Sequence, residues 1–156
     1  MVFAEIYKSY WQKIFRLCMG YVNNQDWAKD IAQDTFIIVW EQLPKFRNEA
    51  SVGTWIYRIA VNQCLRQIEK EKRAPKYELN FDVPETDLSN NEKGTAFLYQ
   101  CISELQEIDR IIISLELEDI KQAEIANIVG ISESNVRVKI HRIKEKLTKK
   151  FEKYEH

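Results

Sequence analysis

The spacing of side chains between residues 51 and 73 allows one regular structure, an α-helix that begins near Ser51. Polar and aromatic residues recur there at steps of three and four, which places them on one helical face: Trp55, Arg58, Asn62, Arg66, Glu69 and Arg73. Arginine neutralises phosphate, asparagine pairs with base edges, and aromatic rings stack on unpaired bases. The face therefore indicates contact with nucleic acid, but an ordinary solvated face with a core tryptophan fits the same spacing.

Helical spacing also dominates the rest of the chain, and amphipathic helices are predicted for residues 3–23 and 26–42. The apolar stripe of the first helix, which includes Phe3, Ile6, Tyr7 and Tyr10, is assigned to the core. The chain of 156 residues has only 4 glycines and 3 prolines, which leaves little room for the tight turns of β architecture. No stretch sustains the alternation of a strand. The predicted fold is all-α, with two small helical domains (1–76 and 94–156) joined by a flexible, acidic linker over 77–93.

The distribution of charge is more informative than the net charge of −1. Residues 43–76 hold eight lysines and arginines against three glutamates, and residues 137–150 hold seven against one. Residues 77–92, in contrast, hold five acids and no base. Two basic patches thus flank an acidic segment, a pattern that suits a protein with two nucleic-acid contacts.

The second predicted helix, with Asp26 as a plausible N-cap, presents a mixed surface opposite its core side. That surface combines charged and apolar residues: Asp30, Gln33, Asp34, Ile37, Trp40 and Glu41. A solvated face seldom displays isoleucine and tryptophan beside three acids, whereas apolar anchors inside a charged frame are typical of protein-docking surfaces. The alternative is that Ile37 and Trp40 pack beneath a neighbouring loop.

A short loop follows Pro44 and leads to the basic helix. It contains Phe46, Arg47 and Asn48, which are able to hold a base that has left the duplex stack. A simple connector between two helices fits the loop equally well.

Residues 122–147 carry the pattern of a helix-turn-helix. A small residue, Ala126, stands where the two helices touch, Gly130 turns the chain, and Val136 packs the second helix. Ser132 is placed to cap that helix. Its outward side is polar or basic except for one aliphatic residue, and includes Ser134, Val138, His141 and Arg142. Such a helix is suited to reading duplex DNA, where Val138 could touch a thymine methyl.

Other functional classes lack their signatures. The cysteines, Cys18, Cys64 and Cys101, are odd in number and far apart, so we expect reduced core thiols rather than disulfides or a zinc site. No nucleophile arrangement, metal cluster or phosphate loop is visible, and we predict no catalytic residue, no metal, no cofactor and no small-molecule substrate. The charged N-terminus is no signal peptide and no apolar run reaches ~18 residues; we expect a cytoplasmic protein without membrane insertion.

The chain resembles an RNA polymerase sigma factor of the short, extracytoplasmic-function (ECF) type over residues 3–150. The strings DIAQDTFIIVWEQLPKF (30–46) and TWIYRIAVNQC (54–64) resemble the sigma-two domain of that family. The string EIANIVGISESNVRVKIHRIKEKL (124–147) resembles its sigma-four domain. The resemblance implies a subunit that binds core RNA polymerase, recognises and melts the -10 promoter element, and reads the -35 element.

The resemblance also implies a role for individual residues. The docking surface on the clamp helices of the polymerase's largest subunit is Asp30, Gln33, Asp34, Ile37, Trp40 and Glu41. The surface for the -10 element is Arg47, Asn48, Trp55, Arg58, Asn62 and Arg66. The helix that enters the major groove of the -35 element presents Ser134, Asn135, Arg137, Val138, Lys139, His141 and Arg142. The implied partners are core polymerase, promoter DNA and an anti-sigma protein.

Two departures from the family pattern concern helix starts: Leu105 is followed by Gln106 where proline is common, and Ile120-Lys121 stands where glycine or serine is common. Neither touches a predicted contact. The residues alone leave two other readings open. One is a conventional helix-turn-helix regulator that binds an operator without core polymerase, and the other is a helical adaptor with no nucleic-acid role.

Overall fold

The computed structural model describes residues 2–73 and 90–155. Within these two ranges all secondary structure is helical and no strand occurs, which confirms the predicted all-α class. In chain order the elements are α1 (Phe3–Val22), α2 (Gln25–Gln42), a 3-10 turn (Leu43–Lys45), α3 (Val52–Arg73), α4 (Asn90–Ser103), α5 (Glu107–Leu117), α6 (Gln122–Val129) and α7 (Glu133–Glu155). Of the linker predicted over 77–93, residues 90–93 form the start of α4, and the remainder lies outside the described residues.

The junction between α1 and α2 is set by two asparagines. Asn23 ends α1 in the left-handed conformation with φ 50°, and its backbone N–H donates to the Met19 carbonyl. Asn24 caps α2, since its side-chain oxygen accepts from the Trp27 N–H at 2.8 Å. The prediction that Asp26 is the N-cap is therefore wrong. Asp26 lies inside the first turn, where its charge favours the helix through the dipole.

Serines begin the two helices that carry the basic residues. The Ser51 hydroxyl accepts from the Thr54 N–H at 3.2 Å at the start of α3. The Ser132 hydroxyl accepts from the Asn135 N–H at 3.1 Å, which confirms its predicted role as the cap of α7. Between α6 and α7, Gly130 adopts φ 84°, a left-handed conformation that a side chain would disfavour.

One hydrophobic core runs through both parts of the chain. We call α1–α3 the amino-terminal group and α4–α7 the carboxy-terminal group. The largest cluster of buried residues includes Leu17, Ile31 and Ile56 from the first group and Ile112 and Ile125 from the second. Burying an aliphatic side chain of this size contributes about 1.5–3 kcal/mol, so this shared core holds the two groups together. A smaller core lies within the second group: Cys101, Ile102, Leu105, Ile113, Ile143 and Leu147.

Polar contacts between the two groups concentrate where α1 packs against α4 and α5. Two guanidinium nitrogens of Arg16 donate to the two carboxylate oxygens of Glu118, just after α5, at 2.5 and 2.8 Å. Arg110 donates to the Tyr21 carbonyl at 2.8 Å. Gly20 lies against Ser114. We call this contact the α1–α5 interface; the sequence patterns did not predict it.

All three cysteines are free and buried, as predicted. The thiols of Cys18 and Cys64 lie 4.0 Å apart between α1 and α3. Their hydrogen bond, followed by burial, raises the pKa of Cys18 well above its usual value. The Cys18 thiol therefore stays protonated at neutral pH, and both cysteines act as small apolar residues of the core.

Candidate docking and nucleic-acid interfaces

The mixed surface predicted on α2 lies on the outside of the molecule. Ile37 is 55% exposed and Trp40 is 63% exposed, so neither packs beneath a loop. The polar members of the surface are exposed around them: Asp30, Gln33, Asp34 and Glu41. The opposite side of α2 is buried in the core through residues such as Ile31 and Val39. Large apolar side chains that remain exposed within a charged frame provide the anchors that a protein partner would cover.

The same surface extends onto α1, which the sequence patterns missed. Phe3 and Tyr7 line a groove together with Phe36, Ile37 and Trp40. Tyr7 is 40% exposed, although its helical spacing had placed it in the core. Its ring meets the edge of Phe36 at a centroid distance of 5.1 Å. Near its start, α1 carries more apolar side chains than the core buries. This excess of apolar residues was the feature of the sequence that could have indicated an exposed groove.

A small pocket stands at the start of α3. Its volume is about 210 Å³, and its lining combines basic and aromatic residues: Lys45, Phe46, Arg47, Glu49, Ala50, Trp55 and Arg58. The rings of Phe46 and Trp55 stack with their centroids 4.6 Å apart and an interplanar angle of 27°. An aromatic wall beside cationic side chains is the arrangement that holds an unstacked base and its phosphate. The loop brings Phe46 onto Trp55 and so contributes an aromatic wall to the pocket.

The predicted face of α3 continues from this pocket along the surface. Trp55 and Arg58 are half-buried at the pocket, whereas Asn62 and Arg66 are exposed. Arg47 and Asn48 are exposed in the loop, and Asn48 has a positive φ of 59°. The structure therefore places Arg47, Trp55 and Arg58 at the pocket, while Asn62 and Arg66 follow one and two turns further along α3 and Asn48 lies in the adjoining loop. The Arg73 side chain, at the end of the face, lies outside the described residues.

The second basic helix, α7, separates its core and outward sides cleanly. Val136, Ile140, Ile143 and Leu147 are buried. The outward residues predicted to meet DNA are exposed: Ser134, Asn135, Arg137, Val138, His141 and Arg142. Val138 is 45% exposed, which leaves it free to touch a base methyl in the major groove.

Lys139 is the exception among the predicted contacts of α7. Its ammonium lies 3.5 Å from Asp109 of α5, and the lysine is only partly exposed. His141 pairs with Glu145 one turn further along α7 at 3.1 Å, where both side chains are largely exposed. An exposed pair such as this contributes little to stability and exchanges readily for a phosphate. The Lys139 ion pair is the less exposed of the two, because the Asp109 carboxylate is mostly buried.

Within the described ranges, no group of three or more histidine, cysteine, aspartate or glutamate side chains is placed to hold a metal ion. No helix in the same ranges is both long and apolar enough to cross a membrane. The described residues present cations and amides on the faces of α3 and α7, aromatic rings beside the first of these faces, and exposed apolar side chains on α2.

Two family models match the chain in separate places. The model described as Sigma-70 region 2 matches residues 6–74, and the model described as Sigma-70, region 4 matches residues 98–147. The first match covers nearly all of α1–α3, and the second covers the end of α4 through most of α7.

Curated relatives match over almost the whole chain. The ECF RNA polymerase sigma factor SigW of Bacillus subtilis is 31% identical over 166 residues, covering 94% of this chain and 87% of the relative. The RNA polymerase sigma factor YlaC of the same organism is 29% identical over 158 residues, covering 96% and 91%. The ECF RNA polymerase sigma-E factor of Escherichia coli is 29% identical over 160 residues, covering 90% and 82%.

Two solved structures share the fold. The sigma factor RpoE of Bartonella quintana, in complex with the anti-sigma factor NepR, aligns with a TM-score of 0.76 at 15% identity, covering 94% of both chains. CnrH, in complex with the cytosolic domain of CnrY, aligns with a TM-score of 0.74 at 18% identity, covering 96% of this chain and 87% of that one.

Proposed function

Because this chain belongs to the ECF family of RNA polymerase sigma factors, we propose a role for each of its three surfaces in promoter-directed initiation. As a member of that family it binds core RNA polymerase and directs promoter-specific transcription. One observation supports the division of labour most strongly. A surface suited to a protein partner, a pocket suited to an unpaired base and a helix suited to duplex DNA occur in one chain. The first two lie within the match to Sigma-70 region 2, and the third lies within the match to region 4.

The α2 surface docks on core polymerase. Ile37 and Trp40 supply the apolar anchors, and Asp30, Gln33 and Asp34 supply the frame that sets orientation. The predicted target, the clamp helices of the largest subunit, stays a proposal. The matching region of α1–α3 also disfavours a conventional regulator, which would need only the helix-turn-helix.

The pocket and face of α3 recognise and open the -10 element. Arg58 and Arg66 hold backbone phosphates, while the pocket beside Trp55 accepts a base that has left the stack. Unpairing costs a few kcal/mol per base, and stacking on an aromatic ring returns about 1–3 kcal/mol. Capture of one or two bases therefore offsets much of the cost of opening, and no hydrolysis is needed.

The outward side of α7 reads the -35 element as a duplex. Asn135, Arg137 and Arg142 are exposed on the part of α7 that follows the turn, which is the part of a recognition helix that reaches base edges. The proposed organisation is a -10 domain over 1–76, a linker over 77–93 whose last residues begin α4, and a -35 domain over 94–156.

The remaining proposals follow from this role. We expect no catalysis by the chain and no cofactor or small-molecule substrate. It acts in the cytoplasm, because that is where bacterial core polymerase meets promoter DNA. An anti-sigma protein restrains it, by analogy with RpoE and CnrH, whose structures are complexes with NepR and CnrY.

Run-off transcription with core polymerase tests the docking surface. The Asp34→Lys variant should lose promoter-directed transcripts at least tenfold, because it reverses a charge inside the docking frame. Glu152→Lys makes the same charge change at the far end of α7 and serves as the matched control. If Asp34→Lys transcribes as the wild type does, the docking surface lies elsewhere.

A further inference from the structure

Among the described residues that line the pocket at the start of α3, three are cations and one is an acid. The cations are Lys45, Arg47 and Arg58, and the acid is Glu49. The sequence patterns selected Arg47 and Asn48 from this loop and did not select Glu49. In the structure Asn48 has φ 59° and lies where the chain bends, and the residues on either side of it line the pocket while Asn48 does not.

The Glu49 carboxylate is available to a ligand. Glu49 is exposed, and no hydrogen bond or ion pair with another residue of the described ranges engages it. A carboxylate repels phosphate, so its position beside three cations weakens the attraction of the pocket for the DNA backbone. It accepts hydrogen bonds from the N–H groups of base edges, however. An acid at this position therefore favours contact with a base over contact with a phosphate.

The aromatic wall of the pocket sets the plane in which a captured base lies. The centroids of Phe46 and Trp55 are 4.6 Å apart, whereas a base between two rings needs roughly 7 Å, twice the ~3.4 Å spacing of stacked bases. The base therefore stacks on the outside of the pair and not between its rings. Its Watson–Crick edge, which is free once the base has left the duplex, remains open to polar side chains of the lining.

We propose that Glu49 is a specificity-determining residue, whose carboxylate accepts a hydrogen bond from an exocyclic amino group of the captured base. The pocket then takes cytosine, adenine or guanine and rejects thymine. The first three bases carry an amino group on this edge, whereas thymine presents two carbonyl oxygens that a carboxylate repels. The inference rests on the proposed capture of an unstacked base beside Trp55, and it extends that proposal by naming the class of base.

Arg47 complements Glu49 on the same base edge. Each base with an amino group also has an acceptor on that edge, which is N3 of cytosine, N1 of adenine or O6 of guanine, and a guanidinium can donate to it. Thymine would satisfy the donors of Arg47 through its carbonyl oxygens but would leave the carboxylate facing an acceptor. The discrimination against thymine is therefore due to Glu49.

Transcription by the holoenzyme from variants of one promoter tests the proposal. The promoter is first located by run-off transcription with core polymerase, and each non-template position of its -10 element is then changed to all four bases. At one position, thymine should lower single-round transcription at least fivefold relative to the preferred base, because a good base contact discriminates by about five- to hundredfold. Glu49→Gln should reduce that difference to about twofold or less, since an amide can also donate to a thymine carbonyl. Glu152→Gln makes the same chemical change at the far end of α7 and is the matched control.

Deletion of the amino group from the preferred base tests the hydrogen bond itself. The analogue is pyrimidin-2-one for cytosine, purine for adenine or hypoxanthine for guanine, placed in a -10 element that is already mismatched so that its weaker pairing has no effect. The wild-type holoenzyme should lose at least fivefold in binding to the analogue, whereas the Glu49→Gln holoenzyme should bind the analogue and the natural base about equally. An equal loss for both holoenzymes would overturn the proposal.

The other outcomes separate this inference from the proposed function. A uniform effect of Glu49→Gln on all promoter variants would overturn the role of Glu49 and leave base capture standing, provided that Trp55→Ala still impairs opening. If that uniform loss accompanies a lower melting temperature, the acid only stabilises the start of α3 through the helix dipole. Thymine as the preferred base at every position would also overturn the proposal. Normal opening by Trp55→Ala on every variant would instead overturn base capture, and this inference with it.

Discussion

The two basic helices, α3 and α7, differ in the residues that surround their cationic side chains. On α3, Arg58 borders a pocket walled by the stacked rings of Phe46 and Trp55. On α7, the outward residues that precede Arg142 include no phenylalanine, tyrosine or tryptophan, and Val138 is their one apolar member. The first surface has a flat, partly enclosed site, whereas the second is a convex helix surface.

This difference supports the DNA state that we propose for each helix. A stacked aromatic pair offers nothing to a paired base inside a duplex, but it binds a base that has left the stack. A convex polar helix fits a major groove and gains nothing from melting. In the proposed scheme, similar basic charge on two helices serves two steps of initiation, and the residues beside the charge decide which step.

Removal of the pocket wall should have the largest effect. Trp55→Ala should lower open-complex formation on a fully paired promoter by about tenfold or more, because ring stacking on a base is worth about 1–3 kcal/mol. A promoter that is already mismatched at the -10 element should recover most of the loss. Permanganate footprinting of unpaired thymines measures both.

Two variants separate this effect from a general loss of fold. Trp55→Phe keeps an aromatic wall beside Phe46 and should retain most of the activity. Asn62→Ala alters an exposed residue of the same face, and it should impair opening while binding to core polymerase stays normal. If Asn62→Ala instead abolishes core binding and opens preformed complexes normally, the face of α3 has been assigned wrongly.

Removal of a positive charge from α7 should weaken binding to duplex DNA, and in contrast to Trp55→Ala the loss should not depend on melting. Arg137→Ala should weaken binding to duplex -35 DNA by roughly five- to hundredfold if the arginine meets a base, since such contacts are worth about 1–3 kcal/mol. If it meets a phosphate, the slope of log affinity against log salt should fall by about one. A pre-melted -10 element should rescue neither loss. Fluorescence anisotropy over a salt series measures these values, and rescue by melting would erase the contrast between the helices.

Lys139 should matter less than its neighbours, because Asp109 holds it 3.5 Å away. Lys139→Ala should reduce duplex affinity by less than about threefold, whereas Asp109→Asn should increase it by releasing the ammonium for a phosphate. Thermal unfolding of Asp109→Asn controls for damage to α5. A loss of affinity in a stably folded Asp109→Asn variant would show that the pair positions Lys139 for DNA instead of withholding it.

Val138 should give the smallest change. Val138→Ala removes two methyl groups from a side chain that is 45% exposed, so the fold should be unaffected. Duplex affinity should fall by about threefold or less for a site with a thymine at the contacted position, and remain unchanged where another base stands there. Competition between -35 duplexes that differ at single base pairs would reveal the position, and a uniform change across all of them would contradict the methyl contact.

Much of the fold and of the candidate sites could be predicted from the helical spacing of residues in the sequence. The exposed residues of α2, α3 and α7 were predictable because a period of 3.6 residues assigns them to faces without knowledge of any partner. The capping role of Ser132 followed in the same way from local chemistry. Asn24 and Asp26 are both suitable N-cap residues and lie only two positions apart, and sequence patterns do not determine the start of a helix to within two residues.

Contacts between distant parts of the chain were beyond such patterns. Arg16 and Glu118 are separated by 102 positions, and the sequence around either residue gives no indication that the two are in contact. Tyr7 belongs to an apolar stripe that serves both the core and the groove beside Trp40, so its period alone assigned it to the core. Lys139 resembles any outward lysine until Asp109 of α5 is placed beside it.

The close approach of Gly20 to Ser114 links the evolution of these two positions. A Cβ atom at position 20 would lie 2.0 Å from the Ser114 hydroxyl and 3.1 Å from the Ser114 Cβ, so a side chain there requires Ser114 to move or to be smaller. Among homologous chains in which α1 packs against α5 in this way, a residue larger than glycine at the position of Gly20 should therefore occur with a small residue at the position of Ser114. Lineages that carry bulky side chains at both positions should pack α1 against α5 differently. The pair of positions thus provides a marker, readable from aligned sequences alone, for which members of the family share this packing.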